Sequence, residues 1–316
     1  MTSYFRELTE QVGAAWNRFW FTSRDPFTLS VLRIAVGLMA IFYVVSHSAD
    51  LVHWFAADGI LPVQTAQRLA GAEQSKYFFH YSYLSFANSA GGLWTLHLLG
   101  LAILVLFTAG LWTRVTSVLA VVVALSYVHR APMITAQFEP VLTMLLIYLC
   151  LAPTGQYLSV DRWLRNRKTD ARGPAAVGDE PSVMATISTR LIQLHLAALY
   201  VMIGLNMLSA ETWWTGEATW WLIARSESRL VDLTGLANHM MLVNLWTHLV
   251  VAYQFSFGLL IWPRLLRPIL LAFGPLVWIP LAFVTGSLAY AAIMLVASIA
   301  FVEPVQWPRR GVREPD

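Results

Sequence analysis

The sequence predicts an all-α polytopic membrane protein of about eight transmembrane helices, and three observations carry that reading. Charged residues make up 12% of the 316 positions, about half the roughly 25% found in soluble domains. Apolar runs recur that approach the ~20 residues needed to cross hydrocarbon, and the mean hydropathy is +0.58. Fourteen tryptophans and eleven tyrosines suit aromatic belts at the membrane–water boundaries. The lipid bilayer is therefore the expected partner. A net charge of +3 reads as loop charge on a membrane protein rather than as a nucleic-acid surface. A single cysteine, Cys150, excludes an internal disulfide.

Residues 1–26 read as an interfacial amphipathic lead-in, with Phe5, Trp16, Phe19 and Trp20 interleaved with Arg6, Arg18 and Arg24. They contain no apolar core ending in a small-residue site, so no cleaved signal peptide is expected. Asp25-Pro26 then offers a cap and a first-turn proline for a span from about Phe27 to His47. It opens a first membrane half, 27–152, of four spans. Residues 48–91 are too many for a plain connector and are expected to form short interfacial helices over one mouth of the bundle. Spans two and three, about 92–111 and 115–128, are separated by little more than Trp112-Thr113-Arg114, and Glu139-Pro140 opens the fourth, which runs to about Ala152.

A basic linker follows at 153–185, rich in Arg, Pro and Gly. The second membrane half, 186–303, begins with a span to about Leu208. Within it, Tyr200 to Trp221 is an apolar helix expected to break at Gly204-Leu205-Asn206, then paired tryptophans (Trp213, Trp214, Trp220, Trp221) around Gly216. Such a sequence suits a place where something polar is held near the bilayer surface. The segment 209–239 is Trp-rich, the sixth span is about 240–262, and 268–302 reads as a hairpin of two short spans. Because Pro275, Pro280 and Gly286 interrupt that run, one kinked helix with a re-entrant piece is the alternative, giving seven spans. A short tail, 304–316, remains.

Basic residues set the expected orientation. With eight spans and the N-terminus inside, the inner segments hold fifteen Lys and Arg and the outer ones five, as the positive-inside rule requires. Both termini, the linker and the tail are then cytoplasmic, in a multi-pass protein of the plasma (inner) membrane. Loop 48–91 and segment 209–239 share the outer side, as a common site there requires.

A family resemblance emerges from short motifs in order. They are Asp25-Pro26 before Leu32-Arg33-Ile34, Trp54-Phe55 with Asp58-Gly59 and Pro62, Gly110-Leu111-Trp112-Thr113-Arg114, and Ala152-Pro153-x-Gly155 with Ser159-Val160-Asp161. Arg190-Leu191-x-Gln193, Tyr200, Gly204-Leu205 and Trp213-x-x-Gly216 complete the set. Together they resemble the HTTM domain, the membrane module that includes vitamin K-dependent γ-carboxylase, across about residues 15–303. In the carboxylase the segment after the Gly carries lysines, one of them the base that deprotonates reduced vitamin K. A lysine in an apolar site loses its proton readily. Here that place is Asn206-Met207, which holds no base. The carboxylase-like Phe-His pair of the late membrane segment appears as Phe273-Gly274. The carboxylase's large luminal region has no counterpart before Asp316. The resemblance therefore implies the fold without carboxylation or epoxidation, and no catalytic residue is assigned.

The candidate pocket-lining residues are Arg33, His80, His129, Glu139, His195, Asn206 and Trp213. His195 forms a stripe with Leu191, Ala198 and Met202 that reads as facing the bundle interior, either as a hydrogen-bonded core histidine or as a proton-handling, quinone-contacting group. His97 and His248 read in the same way. Arg33, within the first span, must pair or snorkel, with Glu139 as a candidate mate. His129, Arg130, Glu139 and His80 suit a polar outer mouth or simple interfacial anchoring. His47 and His53, separated by Asp50, lack a metal-site spacing, and no metal is expected. Trp213 and its neighbours suit a boundary belt or a ligand-stacking shelf.

The expected function is an HTTM-like membrane protein that binds a lipid-soluble molecule, quinone-like or isoprenoid, in an outward-facing pocket. Two alternatives stand beside it: a non-enzymatic scaffold or assembly subunit with an unassigned protein partner, and a quinone-linked oxidoreductase subunit resembling the DoxX group.

Overall fold

The computed structural model describes residues 2–56, 58–69, 82–170, 181–227 and 230–302; His80 lies outside the described residues. The described structure is helical, with one isolated antiparallel bridge between Arg24 and Ser182. The α-helices in chain order are α1 (Thr2–Phe21), α2 (Phe27–Ser46), α3 (Leu51–Phe55), α4 (Val63–Leu69), α5 (Ala90–Ala109), α6 (Thr113–Arg130) and α7 (Phe138–Leu151). Then come α8 (Val160–Asp170), α9 (Val183–Leu208), α10 (Glu211–Thr215), α11 (Ala218–Ala224), α12 (Met240–Leu260), α13 (Arg267–Thr285) and α14 (Leu288–Ser298).

Four of these, α2, α5, α9 and α13, are long and apolar enough to cross a membrane, and α7 and α14 are shorter apolar helices. Large apolar side chains face outward along them, among them Leu38 and Phe42 on α2, Leu98 and Leu99 on α5, and Leu276 and Ile279 on α13. Water would penalise such a girdle, whereas lipid accepts it. The chain is thus built as a helical membrane protein.

Local chemistry sets the helix ends. Asp25 Oδ1 accepts the Phe27 N–H at 2.9 Å, at the entrance to α2. Ser89 Oγ accepts from Gly92 N–H at 3.1 Å and opens α5. Gly110 closes α5 in a left-handed conformation, φ +77°. Gly286, φ +72°, closes α13, so 268–302 forms two helices, α13 and α14, with Pro275 and Pro280 inside a continuous α13.

The expected break at Gly204 is corrected. Helix α9 runs unbroken to Leu208, and Gly204 serves packing instead: a Cβ there would lie 3.0 Å from the Phe255 ring on α12. Small residues let helices approach closely in lipid. Gly258 on α12 does the same against Val201 and Ala197 of α9, and Gly37 on α2 against Thr108 of α5. The pairs α9–α12 and α2–α5 are the most extensively packed, and α14 lies against α2, α7 and α9. The last helix therefore interlocks the two halves.

At the end of the bundle where α2 begins, motifs distant in sequence converge on Arg33, which is 0% exposed. Its Nη1 donates to Thr154 O and its Nη2 to Leu158 O, both at 2.5 Å. Ser30 Oγ donates to the same Thr154 carbonyl at 3.0 Å. Asp161 accepts from Trp112 N–H, Thr113 N–H and Thr113 Oγ1 at 2.9, 2.9 and 3.1 Å. The Asp161 N–H donates to Gly110 O at 3.0 Å. Gly110 must be glycine twice over: its φ is positive, and a Cβ would lie 2.6 Å from Ser159 Cβ and 2.8 Å from Arg33 Nη1. Tyr157 donates to Asp25 Oδ2 at 3.2 Å, and Thr186 Oγ1 to Thr22 O at 2.5 Å.

The expected pairing of Arg33 with Glu139 is therefore corrected. Glu139 stands at the start of α7, and the carbonyls that hold Arg33 follow its end. A helix rising ~1.5 Å per residue puts them roughly 20 Å apart.

Asp161→Ala removes three acceptor contacts and the one carboxylate acting on Arg33. We expect a loss of about 2–3 kcal/mol, read as a lowered midpoint of tryptophan-monitored thermal unfolding in detergent. An unchanged midpoint would show that the knot contributes no net stability.

Candidate functional site

At the opposite end of the first half, α2, α5 and α6 bring a cluster of polar aromatic groups together. His97 on α5 is 0% exposed. Its Nδ1 lies 2.6 Å from the Tyr127 hydroxyl, and its Nε2 shares a 2.9 Å hydrogen bond with Ser48 Oγ. His47 closes α2, with Nδ1 2.8 Å from Tyr43 O. A carbonyl only accepts, so Nδ1 carries the proton and Nε2 is the acceptor in neutral His47. The His47 ring lies 5.2 Å from Tyr127, 4.8 Å from Tyr43, and stacks on Phe55 at 6.1 Å. Gly100 makes room for the Tyr83 phenol, whose hydroxyl a Cβ would strike. Burial pushes that phenol up to about 12, so it stays protonated.

Arg130 and Glu139 border the cluster. Arg130, the last residue of α6, is 1% exposed. Its Nη2 donates to Phe55 O at 3.0 Å and Leu61 O at 2.6 Å, and its guanidinium sits 5.3 Å from the Phe55 ring centre. Nε and Nη1 have no hydrogen-bond partner. Glu139, also buried, accepts the Ala136 N–H at 2.9 Å and so caps the entrance to α7.

The expected site residues divide into groups. His129, half-buried, and Glu139 lie beside this cluster. Arg33 lies at the other end of the bundle. Trp213, on α10, is half-buried against the core; Asn206, near the end of α9, is exposed. They do not line one cavity with Arg33. His195 requires a second correction. It is exposed, as are Ala198 and Met202, and Tyr148 is its partner at 3.0 Å. The interior face of α9 runs instead through Ile192, Gln193, Leu196, Ala197, Tyr200 and Gly204, with Gln193 donating to Ala300 O at 2.8 Å. Apolar residues surround α9 on every side, so periodicity does not distinguish its faces. His248 is likewise exposed, hydrogen-bonded to Asn244 O and Trp214 O, and of the three histidines read alike His97 is the interior one.

Sequence reasoning underweighted Tyr43, His47 and Tyr127. A signal was present: Tyr43 and His47 are four apart, hence on one helix face. Among the described residues no group of three His, Cys, Asp or Glu is placed to hold a metal ion. Chemically, the cluster supplies phenol and imidazole donors to a carbonyl or hydroxyl head, aromatic faces to a ring, and one buried cation.

No family model, no curated protein and no solved structure matches the chain.

Tyr127→Phe strips the His97 Nδ1 of its partner inside the bundle, and a loss of about 1–2 kcal/mol is expected. His195→Ala, at an exposed position, is expected to shift stability by less than about 0.5 kcal/mol. Thermal unfolding of both variants in one detergent checks the contrast; the reverse order would place His195 in the interior.

Proposed function

We propose that the chain is an HTTM-like membrane protein of eight spans, without carboxylase activity, that binds a quinone-like or isoprenoid lipid at the outward-facing end of its first half. The observation that carries this reading is the cluster of buried His97 and Tyr127 with half-buried His47. Ionisable and hydroxyl groups are costly inside a membrane bundle and mark ligand or proton paths by default. A quinone head would enter by taking over hydrogen bonds that these phenol and imidazole groups now make with their neighbours, and an isoprenoid tail fits an apolar surround; the cluster sits where helix ends leave the bilayer core.

The family placement is supported by the ordered motifs and by what they do. Asp25, Arg33, Gly110, Thr113, Gly155, Ser159 and Asp161 come from three separate stretches and meet in one knot. Four helices, α2, α5, α9 and α13, are long and apolar enough to cross; the reading of eight spans adds to them α6, α7, α12 and α14, which are shorter or less apolar. The reading of cytoplasmic termini at the plasma membrane is supported by the excess of Arg and Lys in the segments it places inside. The Asn206-Met207 site, exposed in part and without a base, supports loss of carboxylation.

Purification in mild detergent followed by lipid extraction and mass spectrometry should recover a quinone or isoprenoid near one per chain. Recovery of bulk phospholipid alone would overturn the ligand reading.

The dispersal of Arg33, His195 and Asn206 favours a second reading, a non-enzymatic scaffold or assembly subunit. On that reading affinity purification in mild detergent recovers a stoichiometric partner protein, and a lone monomer counts against it.

A further inference from the structure

Two guanidiniums are buried in the first half, and their surroundings differ. Arg33 gives both terminal nitrogens to carbonyls and lies in the field of Asp161. Its Nε, like that of Arg130, has no acceptor, but with both terminal nitrogens engaged it acts as a staple within its own fold. Arg130 is equally buried, at 1% exposure, yet it commits Nη2 alone. Its Nε and both Nη1 hydrogens meet no acceptor. Glu139, the buried carboxylate at this end, directs one oxygen to the Ala136 N–H and makes no ion pair with Arg130. A buried cation with open donors and no counter-ion is a site prepared for an anion.

Its neighbourhood says what kind of anion. The guanidinium rests against Phe55, Phe55 stacks on His47, and His47 contacts Tyr127. The cation therefore borders the polar aromatic cluster, with the α3–α4 connection above it through the Phe55 and Leu61 carbonyls. An anion that reaches Arg130 comes to a place already closed to bulk water. A free phosphate would surrender its hydration there with no apolar burial in return. A phosphate carried on an apolar chain gains that burial.

We infer that the ligand of this end is an isoprenoid with an anionic phosphate head, and that Arg130 binds the head. The inference rests on the ligand reading above and narrows it from neutral quinone to anionic lipid. Nε and Nη1 donate to phosphate oxygens, while the cluster around His47 and Tyr127 accommodates the first part of the chain.

Binding of three probes to the whole protein in detergent tests it: farnesyl monophosphate, farnesol and inorganic phosphate, each followed by tryptophan fluorescence and thermal shift. Farnesyl monophosphate should bind at least ten-fold more tightly than farnesol, and inorganic phosphate should compete only weakly. Arg130→Gln should lose that ten-fold preference while binding farnesol as the wild type does. Equal affinity for the phosphate and the alcohol would overturn the inference and leave the ligand reading standing. Failure of both isoprenoids to bind would overturn both. Tight binding of inorganic phosphate alone would show an ion site without a lipid. The comparison of probes on wild-type protein needs no substitution, so it decides the matter even if Arg130→Gln does not fold.

Discussion

A guanidinium cannot be left bare inside an apolar bundle, and the Arg33 end of this protein is built to that constraint. Isolated charge in low dielectric costs several kcal/mol. The chain supplies two carbonyls from the segment after α7 and a carboxylate, Asp161, at the start of α8. Presenting those carbonyls inward forces 152–159 to fold back under the bundle, with Leu158 at a positive φ of 49°. Asp161 in turn holds the α5–α6 turn through two backbone N–H groups, and Trp112 takes a left-handed conformation there, φ +48°. One buried charge thus fixes the start of α2, the α5–α6 turn and the exit from α7.

The same constraint is met differently at the two ends. At Arg33 the backbone takes both terminal nitrogens and leaves only Nε without an acceptor. Arg130 is met in part, by the carbonyls of Phe55 at the end of α3 and Leu61 in the connection that follows. An end closed by covalent geometry acts as a floor. An end whose cation still has open donors has hydrogen bonds left to offer to what enters.

Much of the architecture was legible because lipid imposes length and composition on every spanning helix. Asp25-Pro26 announced the start of α2 and Gly286 the end of α13, and the Trp-rich segment folded into the short helices α10 and α11. What stayed hidden was which face of each helix looks inward. In a soluble helix the polar stripe marks the outside, but here the outside is lipid. His195 therefore read as interior and is exposed, while Gln193, two residues away, is the buried one. Gly204 misled for a related reason. Glycine next to a polar residue looks like a break, yet in a membrane bundle it equally marks close contact, here with Phe255. Arg33 was correctly seen to need a partner. The partner was sought among acids, when backbone carbonyls 121 and 125 residues away in sequence met the need.

That last error bears on the functional site. A search for acid–base pairs overlooks sites in which main-chain carbonyls stabilise a cation, and it overlooks equally a cation they stabilise incompletely. His97 and Tyr127 satisfy each other, so they account for their own burial. Arg130 does not: its Nε and Nη1 have no acceptor, and of the unpartnered buried groups at this end, which include the Tyr83 hydroxyl, it is the charged one. The physical weight of the mouth lies on that imbalance rather than on any one histidine. A neutral head would find its donors largely engaged in the His97–Tyr127–Ser48 chain, whereas an anionic head would meet a buried cation whose hydrogen bonds are still to be made.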